Sequence, residues 1–248
     1  MSLPFKHGVI FEQGPQKILI SREKQMKALS FVNERIRRGD YNKYVERGAD
    51  PGPNIPVGDF GGKISEEAVK RFIEIMGKGR TSDVDYNLYP VGQKGWQEDF
   101  TECSYEGYLT KMHVKSASPL IDPGRYPLSW FFQNSDEGAD GKTGHDPILD
   151  EGKASGDLVA FCKIVVPRSF SLSEHALMDQ MEVNIYAIIL ADLLQIPGLL
   201  GEPVSMKLRG NKKVLYFDTI PDDFYSGAPL AKLSLMNHFR SLRQEDSR

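Results

Sequence analysis

Residues 158–195 read LVAFCKIVVPRSFSLSEHALMDQMEVNIYAIILADLLQ, and the fold class turns on how this stretch is divided. Its first part, 158–166, is apolar except for Lys163 and stops at Pro167. A short apolar run ended by proline reads as a buried strand. Ser171, with Glu174 three residues on, has the form of a capping box. Leu177, Met181, Ile185, Ile188 and Ile189 then recur at roughly helical spacing. That pattern predicts a long helix from Ser171 to about Gln195, closed by Pro197-Gly198. Its apolar run is broken by Asp192 and is too short to span a bilayer.

Upstream of the strand, residues 134–157 read NSDEGADGKTGHDPILDEGKASGD, with no helical or strand period. A loop of this length inside a domain is usually functional or disordered. Asp136, Asp140 and Gly141 match the first, fifth and sixth positions of a calcium-binding EF-hand loop, so Asp136 and Asp140 are the candidate metal ligands. The match fails at Gly138 and at Pro147, where oxygen ligands belong. Glu151-Gly152-Lys153 has the E-x-K spacing of metal-dependent nucleases, but it stands among small residues ahead of the strand.

The N-terminal third predicts a β-hairpin over 8–20, turned at Gly14-Pro15. A helix over 22–38 follows, with Ser21 as N-cap and Gly39 just past its end. Residues 40–62 read as an irregular Gly/Pro-rich connector, and Ser65 as the cap of a second helix carrying Ala68, Val69, Phe72, Ile73 and Met76. Tyr108, Thr110, Met112 and Val114 alternate as in a strand, and 128–132 predicts another. Val204, Met206 and Leu208 face 213–218 across Gly210-Asn211 as a second hairpin. Residues 229–242 carry the stripe Leu230, Leu233, Met236, Phe239 and Leu242 of a last helix. Strands and helices alternate without a βαβ rhythm, so the expected class is α+β. We expect a mixed, mainly antiparallel sheet with two β-hairpins, packed by about four helices, in a single domain over 1–248. Residues 1–62 are a candidate N-terminal subregion.

Composition narrows function mainly by exclusion. The chain has 248 residues, 26% charged, with a net charge of −3, so no protein-wide field draws it to nucleic acid. Cys103 and Cys162 lack zinc-type spacing and read as free thiols in a reducing compartment. The N-terminus has no apolar signal segment, which gives an intracellular, cytoplasmic expectation with no membrane partner.

Residues 58–63 resemble a phosphate loop at a glance, but Val57 and Ile64 occupy positions where the motif needs Gly and Ser or Thr. The five histidines are scattered, with no H-E-x-x-H and no G-x-S-x-G elbow. Asp192 lies near the apolar stripe of its segment and is expected to serve a structural hydrogen bond. The first helix carries Arg22, Lys24, Lys27, Arg35, Arg37 and Arg38, the candidate interaction residues. They could meet nucleic-acid phosphates or the acidic loop of a neighbouring copy.

The expected function is therefore non-enzymatic. The chain reads as a structural, self-associating protein of the capsid or crystalline-inclusion kind that viruses build, forming a homo-oligomer or higher assembly without a cofactor. The alternatives are a metal-dependent hydrolase or nuclease using a divalent metal in loop 134–157, and a nucleic-acid-binding protein using helix 22–38.

Overall fold

The computed structural model describes residues 8–10, 15–41, 54–75, 79–89, 98–105, 108–117, 128–134, 146–150, 152–167, 169–204 and 212–217. Two helices stand among them, α1 (Arg22–Arg37) and α2 (Asn54–Ile75). The strands are β1 (Gly8–Ile10), β2 (Gln16–Ser21), β3 (Gly79–Thr81), β4 (Phe100–Tyr105), β5 (Tyr108–Ala117), β6 (Ser129–Gln133), β7 (Leu158–Ile164), β8 (Gln180–Leu190) and β9 (Lys212–Tyr216). Three short 3-10 turns complete the described elements.

The main sheet runs β1/β2–β8–β7–β5–β4–β3. Seven strands occupy six positions, because β1 and β2 both pair antiparallel with β8. The sheet is mixed: β5 and β7 are parallel, and the other pairs are antiparallel. It curls as a half-barrel. β6 and β9 form a separate antiparallel ribbon.

Two apolar layers sandwich the central strands. Leu158, Ala160 and Cys162 of β7 face the cluster built with Leu29, Val32, Phe60 and Phe72 of the helices. Val159 and Phe161 face the other way, onto Trp130, Phe132 and Leu215 of the ribbon. Trp130 anchors that second layer. Its ring lies 5.0 Å from Phe161, and its indole N–H donates to the Cys162 carbonyl at 2.8 Å.

The expected α+β class holds, but four helices is a correction: the described residues form two. The segment 171–195 is not a helix. It holds a 3-10 turn at Glu174–Ala176, strand β8, and a second 3-10 turn at Ala191–Gln195. Every residue from Val183 to Leu190 is buried, because β8 is covered on both faces. A doubly covered strand is apolar throughout, and a continuous apolar run contains a helical stripe as a subset. Its content of Val183, Ile185, Ile188, Ile189 and Tyr186 favours the pleated form.

Ser65 does not cap α2. The helix begins at Asn54, and Ser65 is a buried interior residue bonded to Ser116 Oγ at 3.0 Å. Residues 54–62 of the expected connector are therefore helical, and 58–63 form no phosphate loop. The hairpin expected over 8–20 is likewise corrected: β1 and β2 lie end to end along β8 and not against each other. In the second expected hairpin, β9 pairs with β6, and Val214 also meets Gly201 in an isolated bridge. Residues 205–211 and the helix expected over 229–242 lie outside the described residues.

Gln25 ties the helix layer to the sheet. It is fully buried, and its amide N donates to Ile20 and Met178 carbonyls at 2.9 Å while its oxygen accepts from Met178 N at 3.0 Å. The Gly39 φ of 70° ends α1 in the left-handed conformation expected of a residue just past a helix.

Candidate functional site

The six basic residues of α1 all have contacts within the chain. Arg22 donates to the Leu177 and Glu174 carbonyls at 2.8 and 2.9 Å. Lys24 pairs with Glu67 at 3.1 Å, and Lys27 lies 4.3 Å from the Tyr86 ring centroid. Arg35 pairs with Asp59 and, at 3.7 Å, with Asp40. Arg37 pairs with Glu34, and Arg38 reaches Asp40 at 3.6 Å and the Tyr89 carbonyl at 3.1 Å.

These contacts make a charged seam between α1 and α2. Glu66 and Glu67 are buried there, held by Lys63 at 2.8 Å and by Lys24 respectively. Tyr86 donates to Glu67 at 3.1 Å, and burial first, then the Glu67 charge, pushes its phenol well above the usual range. A cleft of about 340 Å³ opens beside the seam, lined by Ile20, Lys24, Glu67, Lys70, Arg71 and Glu74 among others.

Asp136 and Asp140 lie outside the described residues, as does Glu151 of the E-x-K match. Lys153 is exposed and pairs with Asp150. No group of three or more metal-ligating side chains occurs among the described residues. Asp192 is exposed, and its carboxylate accepts from the Gly156 amide at 2.7 Å, the structural role expected of it.

Sequence reasoning missed a polar ladder on β5. The apolar alternation of Met112 and Val114 has a complement, Lys111, His113 and Lys115, which share the opposite face. Each meets an acid: Lys111 meets Glu98 at 2.9 Å, His113 meets Asp157 at 3.1 Å, and Lys115 meets Asp146. Burial works to raise the Glu98 carboxyl, but Lys111, the Glu98 backbone amide and the charge of His113 together outweigh it and hold the carboxyl low. The signal that could have found the ladder was in the sequence as K-x-H-x-K inside a recognised strand.

A different kind of site lies at the sheet edge. β2 pairs with β8 on one side, and among the described residues nothing pairs with its other side. Leu19 aligns with Glu182, whose carbonyl in turn accepts from the Val165 amide at 2.9 Å. The three residues therefore form one row across β2, β8 and the end of β7. Leu19, in β2, and Val165, just past the end of β7, are each 42% exposed. Lys17 stands in the adjacent row and pairs with Glu182 at 3.7 Å.

No helix among the described residues is long and apolar enough to cross a membrane. No protein-family model matches this chain, and no curated protein and no solved structure matches it.

Proposed function

We propose that the chain is a self-associating structural protein whose copies meet along the outer edge of β2. The observation that carries this reading is the six-residue edge of β2, unpaired among the described residues, with Leu19 and Val165 exposed beside it. An unpaired strand edge presents a row of backbone donors and acceptors that a second strand can complete. Self-pairing of identical strands about a twofold axis is the simplest closed contact.

The side chains suit such pairing. With the twofold axis at Ile18, Lys17 of one copy lies opposite Leu19 of the other. Glu182 stands next to Leu19 in the same row, so the Lys17 ammonium of each copy comes within reach of the other copy's Glu182. Like charges do not face each other in this register. The exposed 3.7 Å pair between Lys17 and Glu182 within one chain is weak enough to exchange for the intermolecular one. β3, at the opposite edge of the sheet, offers a second place where copies could continue the array.

Light scattering across a range of protein concentrations tests the reading. The mass should rise from one chain to two or more as concentration increases. A single-chain mass at every concentration would end the proposal.

A further inference from the structure

We propose that the cleft formed by α1, α2 and the end of β2 binds a small carboxylate with an apolar body, held by Arg71. The cleft measures about 340 Å³. That lies within the roughly 300–1,000 Å³ range of small-molecule sites. α2 presents Glu67, Lys70, Arg71, Glu74 and Ile75 to it, residues that share one helix face at spacings of three and four. Ile20 of β2 and Lys24 of α1 also line it.

The charge pairing in the cleft leaves Arg71 over. Two acids stand at pairing distance from it along α2, Glu67 four residues before and Glu74 three after. Both are engaged elsewhere. Glu67 is buried, pairs with Lys24 at 3.1 Å and accepts from the Tyr86 hydroxyl at 3.1 Å. Glu74 pairs with Lys70 at 3.4 Å, and Lys70 also donates to Asp83 at 2.7 Å. Among the described residues, Arg71 has no hydrogen bond, ion pair or ring contact. It is the one cation of the lining whose charge is left for a ligand.

The chemistry of the lining selects a carboxylate. A guanidinium presents a planar fork of N–H donors that meets a carboxylate through two parallel bonds. A single unpaired cation balances one negative charge, not the two of a phosphate monoester. Ile75, four residues on from Arg71 and therefore its neighbour on the helix face, is 60% exposed. An aliphatic body lying on Ile75 would take that side chain out of water while the carboxylate met Arg71.

The test is calorimetric titration of the full chain with sodium hexanoate at constant ionic strength, for wild type, Arg71→Gln and Ile75→Ser. Wild type is also titrated with hexanamide, acetate and inorganic phosphate, so these arms do not depend on either variant folding. Hexanoate should bind wild type saturably, one per chain. Binding should weaken roughly tenfold or more in Arg71→Gln and for the uncharged hexanamide. Ile75→Ser and acetate, which each remove the apolar contact, should weaken it about several-fold. Phosphate should bind more weakly than hexanoate. In parallel, hexanoate should slow modification of Arg71 by a dicarbonyl reagent, read by peptide mass mapping of the wild type. No saturable hexanoate binding, equal binding by Arg71→Gln, or phosphate binding as tight as hexanoate would overturn the proposal. So would hexanoate binding that leaves Arg71 modification unchanged.

Discussion

Tyr186 and Ala187 are neighbours in the chain and yet face the same side of the sheet. β7 and β8 pair Phe161 with Ala187 but Cys162 with Ile185, so Tyr186 is the extra residue of a β-bulge. Both side chains enter the ribbon-side layer, while Ile185 and Ile188 on either side enter the helix-side layer. The bulge places the Tyr186 ring 5.8 Å from Trp130 and 6.0 Å from Phe217. It bends the central strand where the second layer needs its largest side chains.

Trp130 should be the most sensitive member of that layer. Its ring touches Phe161, Tyr186 and Phe217, and its indole N–H satisfies the Cys162 carbonyl beside the bulge. Replacing it with Phe keeps an aromatic ring but leaves a buried carbonyl without its donor, which costs about 1–3 kcal/mol. Urea denaturation of Trp130→Phe should show that loss as a lower midpoint. An unchanged midpoint would mean the bond contributes nothing.

The two thiols should be inert in the native protein. Burial pushes the Cys103 thiol from 9.0 up to about 12, and burial, then the charge of Asp99, pushes Cys162 higher still. At pH 8, a chromogenic disulfide reagent should find no reactive thiol before denaturation and two per chain after it. A raised acid favours the folded state below its unfolded pKa and loses that favour as pH climbs through the folded value. Stability should therefore fall between about pH 9 and pH 12, with Tyr86 and Tyr186, both also raised by burial, adding to the loss at the upper end. Flat stability across that range would contradict the burial of these groups.

Lys212 should behave in the opposite sense. Burial first, then the charge of Lys115, disfavours its ammonium, so the folded protein carries a penalty at neutral pH that is relieved as pH rises toward the unfolded value. Lys212→Met should raise the thermal midpoint at neutral pH, and the difference from wild type should shrink with increasing pH. A lower midpoint for the variant at neutral pH would show that Lys212 is compensated.

The sequence made α1 and the single strands β5, β6 and β7 readable because each presents one clear pattern. α1 has one apolar stripe and a terminal glycine, and β7 is a short run closed by proline. β8 was misread for a physical reason: covered on both faces, it has no polar alternation to reveal a period of two. The start of α2 was hidden by Gly58, Gly61 and Gly62, residues of low helix propensity that here lie inside a helix packed on α1 and β5. An added Cβ at Gly58 or Gly62 would meet no atom within 4 Å, so close packing does not account for those two glycines. The basic residues of α1 were found in the sequence, and Asp40, just past the helix end, is a local partner, but Glu67, Asp59 and Tyr86 lie on other segments that only the fold brings near. The Lys115–Asp146 pair joins β5 to the residue just ahead of a 3-10 turn, 31 positions away, a separation that no local pattern encodes.

Backbone hydrogen exchange of β2, measured at low and at high protein concentration, tests the edge contact most directly. If copies pair along β2, exchange within 16–20 should slow as concentration rises, and Leu19→Lys should abolish the effect by setting Lys17 of one copy against a lysine of the other. Exchange in this segment that is independent of concentration, in a sample whose mass shows that it has associated, would contradict the edge contact.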